Sequence, residues 1–360
     1  MFETIKHTIR KTMTFDLKNC IRPNIAQLKA YSSARDEFEE NTAEMVFLDA
    51  NENPFQNGVN RYPDPKQKSV KALLSELKGV PADQILLGNG SDEVLDLLFR
   101  AFCEPKEDNV ILLPPTYGMY EVLANLNNIQ IKEVLLDARF DIDLEQVLQA
   151  IDAKSKMIFL CSPNNPTANT FSLERIEIIL KNFNGLVVVD EAYIDFSNQN
   201  SWSNRLKDYP NLVVCQTLSK AYGMAGIRLG ICFASKEIVA VLNRIKPPYN
   251  VNELTQQRAK ERLLKPKEVE KEIAQIILER GLLETHLKTV SYIDEIHPSD
   301  ANFILIKVDD ANKRYQQLLE KNIVVRNRSS QELCENTLRL TVGTPEENAK
   351  LVAALKELQP

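Results

Sequence analysis

The stretch Gln216–Gly230, QTLSKAYGMAGIRLG, decides how this chain is read. It continues an apolar run and sets one lysine, Lys220, ahead of the small residues Ala221, Gly223, Ala225 and Gly226. Arg228 stands eight positions beyond the lysine. Lysine is a nucleophile only when deprotonated, and burial or a neighbouring cation lowers its pKa. Small neighbours let a flat ligand approach, and an arginine fork suits an anion such as a phosphate. An exposed loop lysine is the ordinary alternative, so the surrounding pattern must arbitrate.

Working outward, short apolar runs alternate with amphipathic segments. NVILLPP (109–115), KMIFLCSP (156–163), GLVVVDEAY (185–193), NLVVCQTLS (211–219) and RLGICFAS (228–235) read as strands. They are rich in Val, Ile and Leu without alternation, as in a parallel sheet covered on both faces. SDEVLDLLFRAF (91–102) and SLERIEIILKNF (172–183) read as helices between strands, the order of an α/β domain. From about Lys246 the texture changes. KPPYNVNELTQ leads into a long helical pattern at 266–287, then ANFILIKV (301–308), ANKRYQQLLEKN (311–322), IVVRN (323–327) and TLRLTVG (337–343). The expected architecture is an N-terminal arm over 1–35, a large α/β domain over 57–250 with a mainly parallel sheet flanked by helices, and a smaller α+β domain from 36–56 and 251–360.

Composition removes several function classes. The chain has 360 residues, 44% hydrophobic and 26% charged, with 44 Lys+Arg against 50 Asp+Glu and a net charge of −6. That is globular, with no basic block, so no nucleic-acid partner is expected. No apolar run approaches the roughly 20 residues that span a bilayer, so no membrane partner is expected either. The start, MFETIKHTIRKTMTF, lacks an apolar signal core and reads as a tail, with Met13 a second candidate start. Six scattered cysteines without a C-x-x-C pair, and only three histidines, disfavour structural zinc and fit a reducing cytoplasm.

In a parallel α/β sheet, ligands bind beyond the carboxyl ends of the strands, so the polar residues after each apolar run carry the chemistry. In LLGNGSDEVLDLLF (86–99), Gly88 and Gly90 bracket a turn and Ser91, Asp92 and Glu93 open a helix, an arrangement that caps the helix or holds an anion. A dinucleotide fingerprint would need glycine where Glu93 stands. LCSPNNPTAN (160–169) is by itself a proline turn. VVVDEAYIDF (187–196) sets Asp190 after four apolar residues, where a carboxylate needs a cationic or hydrogen-bonding partner. Jointly they give a glycine-rich helix start, Asn-Pro, Asp-x-x-Tyr, Ser-Lys and an arginine eight positions on.

That ordered set resembles the fold-type I pyridoxal-phosphate enzymes of the aspartate-aminotransferase-like superfamily. Over nearly its whole length the chain is similar to the histidinol-phosphate aminotransferase family, through LKAYSSARDEF (28–38), LDANENPF (48–55), RYPDP (61–65), PPTYGMY (114–120), CSPNNPT, VVVDEAY, TLSKAYGMAGIRLG and LRLTVGT (338–344). The resemblance implies pyridoxal 5'-phosphate as cofactor. Lys220 would bond covalently to its aldehyde and move the substrate's α-proton, and Asp190 would pair with the ring nitrogen. Asn165 and Tyr193 would hold the phenolic oxygen. Ser219, Arg228 and the backbone of Gly90, Ser91 and Asp92 would hold the phosphate. Tyr117 would stack on the ring, unless it is a core aromatic. Tyr62, otherwise a turn residue, would reach the neighbouring subunit's cofactor phosphate, implying a homodimer with composite sites.

Arg339 and Arg326 would bind the substrate's anionic end, with Tyr31 and Asn51 lining the same pocket; surface salt bridges are the competing reading for both arginines. The implied reaction passes the amino group of L-histidinol phosphate to 2-oxoglutarate, giving imidazole-acetol phosphate and L-glutamate in histidine biosynthesis. An aromatic amino-acid aminotransferase, a decarboxylase of a phosphorylated amino acid and a non-catalytic cofactor-binding regulator stay open as alternatives. Two positions depart from the family pattern: Ala168 stands where glycine is usual, and Cys232 where an aromatic is often found.

Overall fold

The computed structural model describes residues 15–29 and 46–358. Seven strands form the larger sheet: β1 (Ile85–Asn89), β2 (Asn109–Leu112), β3 (Gln130–Glu133), β4 (Ser155–Cys161), β5 (Leu186–Asp190), β6 (Leu212–Thr217) and β7 (Leu229–Ala234). Their order is β1-β7-β6-β5-β4-β2-β3. Strands β4, β5 and β6 pair in parallel and are buried almost throughout. Alternate side chains of each strand feed opposite layers. Ile158, Leu160, Val187, Val189 and Val214 face one core, and Met157, Phe159, Val188, Val213 and Cys215 the other. Two dry faces explain why these segments lack polar alternation.

One expectation needs correction. RLGICFAS was read with the parallel strands, but β7 runs antiparallel to both β6 and β1. A parallel return needs a crossover of a dozen or more residues, usually helical. Residues 218–228 contain only the short turn Ala225–Ile227, so the chain folds back beside β6. The reversal matters for the site, because it brings Arg228, the residue just before β7, to the edge where the parallel strands end. Cys232, in place of an aromatic, sits fully buried opposite Cys215 in this pairing.

The smaller sheet is antiparallel, built from β8 (Ile293–Ile296), β9 (Phe303–Val308), β10 (Arg326–Asn327) and β11 (Thr337–Thr341) in the order β10-β11-β9-β8. Of the run expected as a strand at 323–327, only Arg326–Asn327 pairs as one. Helices Pro266–Leu287, Ala311–Glu320 and Pro345–Glu357 cover this sheet with Leu283, Leu318 and Leu355. Helix Glu253–Leu263 packs on helix Lys68–Lys78 and gives Ala259 and Leu263 to the larger sheet's core.

The two sheets meet through Ala168, Tyr193, Phe196 and Ala221 on one side and Ala301 and Phe303 on the other. Ala168 has φ +69°. Left-handed backbone costs an L-residue about 1–2 kcal/mol. Burial of the methyl group offsets much of that, at about 0.8 kcal/mol. The loop is pinned by Ala168 N donating to Asn164 O and Asp300 N donating to Ala168 O, both at 2.8 Å.

Gly230 in β7 lies directly beneath the turn that opens helix Ser91–Phe102. A Cβ there would stand 2.3 Å from Gly90 C and Ser91 N, both backbone atoms that cannot swing aside. Gly230→Ala is expected to destabilise the protein by about 3 kcal/mol or more, measured by urea unfolding. An unchanged unfolding midpoint would mean that the turn does not need this close approach.

Candidate active site

The polar residues that follow the strands converge on one cavity of about 480 Å³. Its lining includes Ser91, Asp92, Tyr117, Asn165, Asp190, Tyr193, Ser219, Lys220, Arg228, Arg326 and Arg339, which brings together eleven of the residues singled out from the sequence. Gly90, the N-cap of helix Ser91–Phe102, adjoins them.

Asp190 closes β5 and is 3% exposed. Its Oδ2 accepts from the Tyr120 hydroxyl at 2.7 Å and its Oδ1 from Ala192 N at 3.1 Å. Burial still pushes its pKa up to about 6 against those two bonds. A buried carboxylate in this state is ready for a cation. Lys220, three residues past β6, is half-buried with Nζ 5.6 Å from the centre of the Tyr193 ring. Burial lowers its pKa, and the Arg339 guanidinium adds to the effect while Asp190 opposes it. Tyr193 is fixed edge-on against Phe303, with ring centres 5.1 Å apart. Asn165 accepts through Oδ1 from Arg339 Nη1, linking the Asn-Pro turn to the smaller sheet.

At the other end, the first turn of helix Ser91–Phe102 offers backbone N–H groups beside Arg228, whose Nη2 lies 3.4 Å from Asp92 Oδ2. Gly90 has φ +83°, and a Cβ there would meet Arg228 Nη2 at 2.6 Å. Glycine thus lets the guanidinium lie against the turn. Ser219 Oγ accepts from Thr217 Oγ1 at 3.0 Å. Helix start, guanidinium and hydroxyl together form an anion cup. Tyr117 stands between cup and carboxylate, its hydroxyl donating to Asp92 Oδ1 at 3.1 Å and its ring edge-on to Tyr120.

Two residues expected from the sequence lie elsewhere. Asn51, expected in the pocket with Arg326 and Arg339, is exposed and lines a separate cavity of about 420 Å³. Its segment runs across the surface, where Asn51 adopts φ +54°. Tyr62 lines that second cavity too, stacked on Tyr249 at 4.4 Å. Tyr31 lies outside the described residues. Conversely, Tyr120, Arg328 and Gln331 belong to the site and were not singled out. The only local hint for Tyr120 was its spacing three residues after Tyr117 in PPTYGMY; nothing local marks the other two.

Comparison with known proteins identifies the family. The model of the class I and II aminotransferases matches residues 33–355. The chain is 63% identical to a histidinol-phosphate aminotransferase of Flavobacterium johnsoniae, over 96% of this chain and 99% of that one. The crystal structure of the histidinol-phosphate aminotransferase from Clostridium acetobutylicum is similar with a TM-score of 0.77 and 25% identity, covering 83% of this chain and 91% of that one. The enzyme of that name from Sinorhizobium meliloti, in complex with pyridoxal-5'-phosphate, shares the fold at a TM-score of 0.75 and 22% identity, covering 82% of each chain.

Proposed function

Because the chain belongs to the class I and II aminotransferases, and among them to the histidinol-phosphate aminotransferases, we propose a division of labour for its own residues in that reaction. The enzyme is a pyridoxal-phosphate-dependent transaminase that moves the amino group of L-histidinol phosphate to 2-oxoglutarate, forming imidazole-acetol phosphate and L-glutamate.

The residues present fit the cofactor. The cup of Gly90, Ser91, Ser219 and Arg228 suits its phosphate, and the lowered pKa of Lys220 suits a lysine that bonds to its aldehyde. Asp190, buried without a cation in contact, suits its ring nitrogen. Asn165 and Tyr193 would hold the phenolic oxygen, and Tyr117 would cover the ring face. When bound, pyridoxal phosphate supplies an electron sink for the pair left on the substrate's α-carbon.

The protein's share is proton handling and charge placement. Lys220 Nζ, with its affinity for protons reduced, takes the proton from the substrate's α-carbon as general base and, as an ammonium, would deliver it as general acid to the carbon on the other side of the substrate nitrogen. Asp190 keeps a positive charge at the far end of the ring site, oriented by the Tyr120 hydroxyl. Arg339 and Arg326, cross-strand partners in β11 and β10, take the substrate's anionic end. Guanidinium suits the pocket because phosphate ester and carboxylate must each bind there in turn.

In the homodimer that the family resemblance implies, the exposed Tyr62 would reach the partner's cofactor phosphate. Among the described residues no helix is long and apolar enough to cross a membrane. With all six cysteines unpaired and buried, the cytoplasm is the proposed location.

The observation that carries this reading is the shared cavity, with Lys220 and Asp190 at the cofactor end and arginines at the other. The test is to add L-histidinol phosphate to the loaded enzyme and follow the cofactor's visible absorbance. Conversion to the amine form is expected with histidinol phosphate and with glutamate. Conversion only with tyrosine or phenylalanine, or release of carbon dioxide, would overturn the substrate assignment. Light scattering of the same sample should give twice the chain mass; a monomer with full activity would remove the composite site.

A further inference from the structure

We propose that Arg328, with the Gln331 amide beside it, adds a third guanidinium to the substrate's anion site and selects a phosphate ester over a carboxylate. The inference rests on the reaction given above and concerns a residue to which that scheme assigns no role.

The geometry starts with strand register. Arg326 and Arg339 are directly opposed in the β10–β11 pair, and Arg328 N donates to Thr337 O at 3.0 Å, continuing the ladder by one step. Positions 326 and 328 alternate on one strand and so share a face, and all three arginines line the same cavity. Like charges directly opposed across a sheet are destabilising unless an anion separates them. Among the described residues, no carboxylate is among the charges acting on Arg328 or Arg339; burial and the neighbouring guanidiniums lower the pKa of both.

Three polar atoms of the cavity's lining residues are buried and lack a hydrogen-bond partner among the described residues: Arg328 Nε, Arg339 Nε and Gln331 Oε1. Two of these are guanidinium donors, which suit an anion. Gln331 fits once its amide is turned so that the nitrogen points inward, since amide oxygen and nitrogen are interchangeable in shape. Unmet buried donors of charged groups are costly, so this pocket is built for an acceptor-rich ligand.

Stoichiometry then points to phosphate. A carboxylate has two oxygens, and a single arginine fork can occupy both. A phosphate monoester presents three terminal oxygens and nearly twice the charge at neutral pH, enough acceptors for Arg339, Arg326 and Arg328 together. Coulomb attraction scales with ligand charge, so the third cation favours the dianion over the monoanion. Arg328 therefore serves the histidinol phosphate half-reaction more than the glutamate half-reaction.

The experiment compares wild type, Arg328→Gln and Arg328→Lys, each loaded with cofactor, in both half-reactions. For Arg328→Gln, kcat/KM with histidinol phosphate should fall about 30- to 100-fold, the range of one charge-assisted hydrogen bond. With glutamate it should fall less than about fivefold. Arg328→Lys, which keeps the charge and loses the fork, should lie between. As a readout independent of turnover, calorimetry should show inorganic phosphate binding the loaded variant Arg328→Gln at least about tenfold more weakly, with acetate affected far less. Equal losses for both substrates, or no loss, would overturn the inference, as would unchanged phosphate binding. A wild-type enzyme inactive with histidinol phosphate would instead overturn the substrate assignment, and the phosphate titration would still decide the role of Arg328. Melting curves and cofactor absorbance of the variants report whether they are folded and loaded.

Discussion

Lys220→Ala is expected to fold, to bind pyridoxal phosphate without a covalent link, and to turn over at least about 10⁴-fold more slowly. General acid–base catalysis by one positioned side chain contributes about 10²–10⁴, and this lysine is also assigned the covalent bond to the cofactor. Among the groups lining the cavity, only Lys220 is an amine, and its pKa is lowered. The arginines cannot substitute, because guanidinium does not give up its proton in water. Folding should survive because the Lys220 side chain is only half-buried and the turn around it is held by backbone bonds, Gly223 N to Lys220 O at 3.0 Å and Met224 N to Leu218 O at 3.0 Å. Three measurements check this: turnover, the visible absorbance of lysine-bound cofactor, and borohydride fixation followed by peptide mapping. Fixation at any residue other than 220 would end the assignment.

Lys220 was legible because its context is local: an apolar run before it and small residues after it, all within a few positions. Asp190 was legible for the same reason, as a carboxylate at the end of VVV. The strands were legible because two dry faces leave no room for polar alternation. What escaped depends on contacts between distant segments. Tyr120 acquires its role from Asp190, 70 residues away in the chain. Arg328 looks like a surface arginine until the β10–β11 register sets it beside Arg326 and Arg339. The direction of β7 is settled by the length of the connection before it, which the apolar pattern does not encode. β3, with sequence QIKE and partly exposed, carries too little apolar character to stand out. Asn51 is the reverse case: its expected role comes from resemblance alone, and within one chain it lies in a different cavity from Arg326 and Arg339.

Asp190→Asn should move stability and catalysis in opposite directions. In the cofactor-free protein burial raises the pKa of Asp190 from 3.8 to about 6. Between about pH 4 and pH 6 the folded form then holds a proton that the unfolded form has lost. Stability therefore falls as pH rises through that window, and the whole cost is present above it. It amounts to about 3 kcal/mol. Asparagine has no charge to bury, and with its oxygen accepting from Ala192 N its amide nitrogen can donate to the Tyr120 hydroxyl oxygen, so cofactor-free Asp190→Asn should be more stable than wild type at pH 7.5 by up to about that amount. The two proteins should converge near pH 4. Glu191, raised by burial to about 7, contributes a similar slope in both, so the difference between their urea-unfolding profiles isolates Asp190. Turnover of the loaded variant should drop about 10²–10³-fold, the range for removing one preorganised electrostatic partner in a buried site. The stability gain should also shrink on loading, because a cationic ring nitrogen would offset the carboxylate in wild type and have no counter-charge in the variant. A cofactor-free variant less stable than wild type at pH 7.5, with turnover intact, would show that Asp190 anchors Tyr120 and does nothing for the reaction. A carboxylate that destabilises the empty fold and is needed only once a cation arrives is best explained by the chemistry it serves.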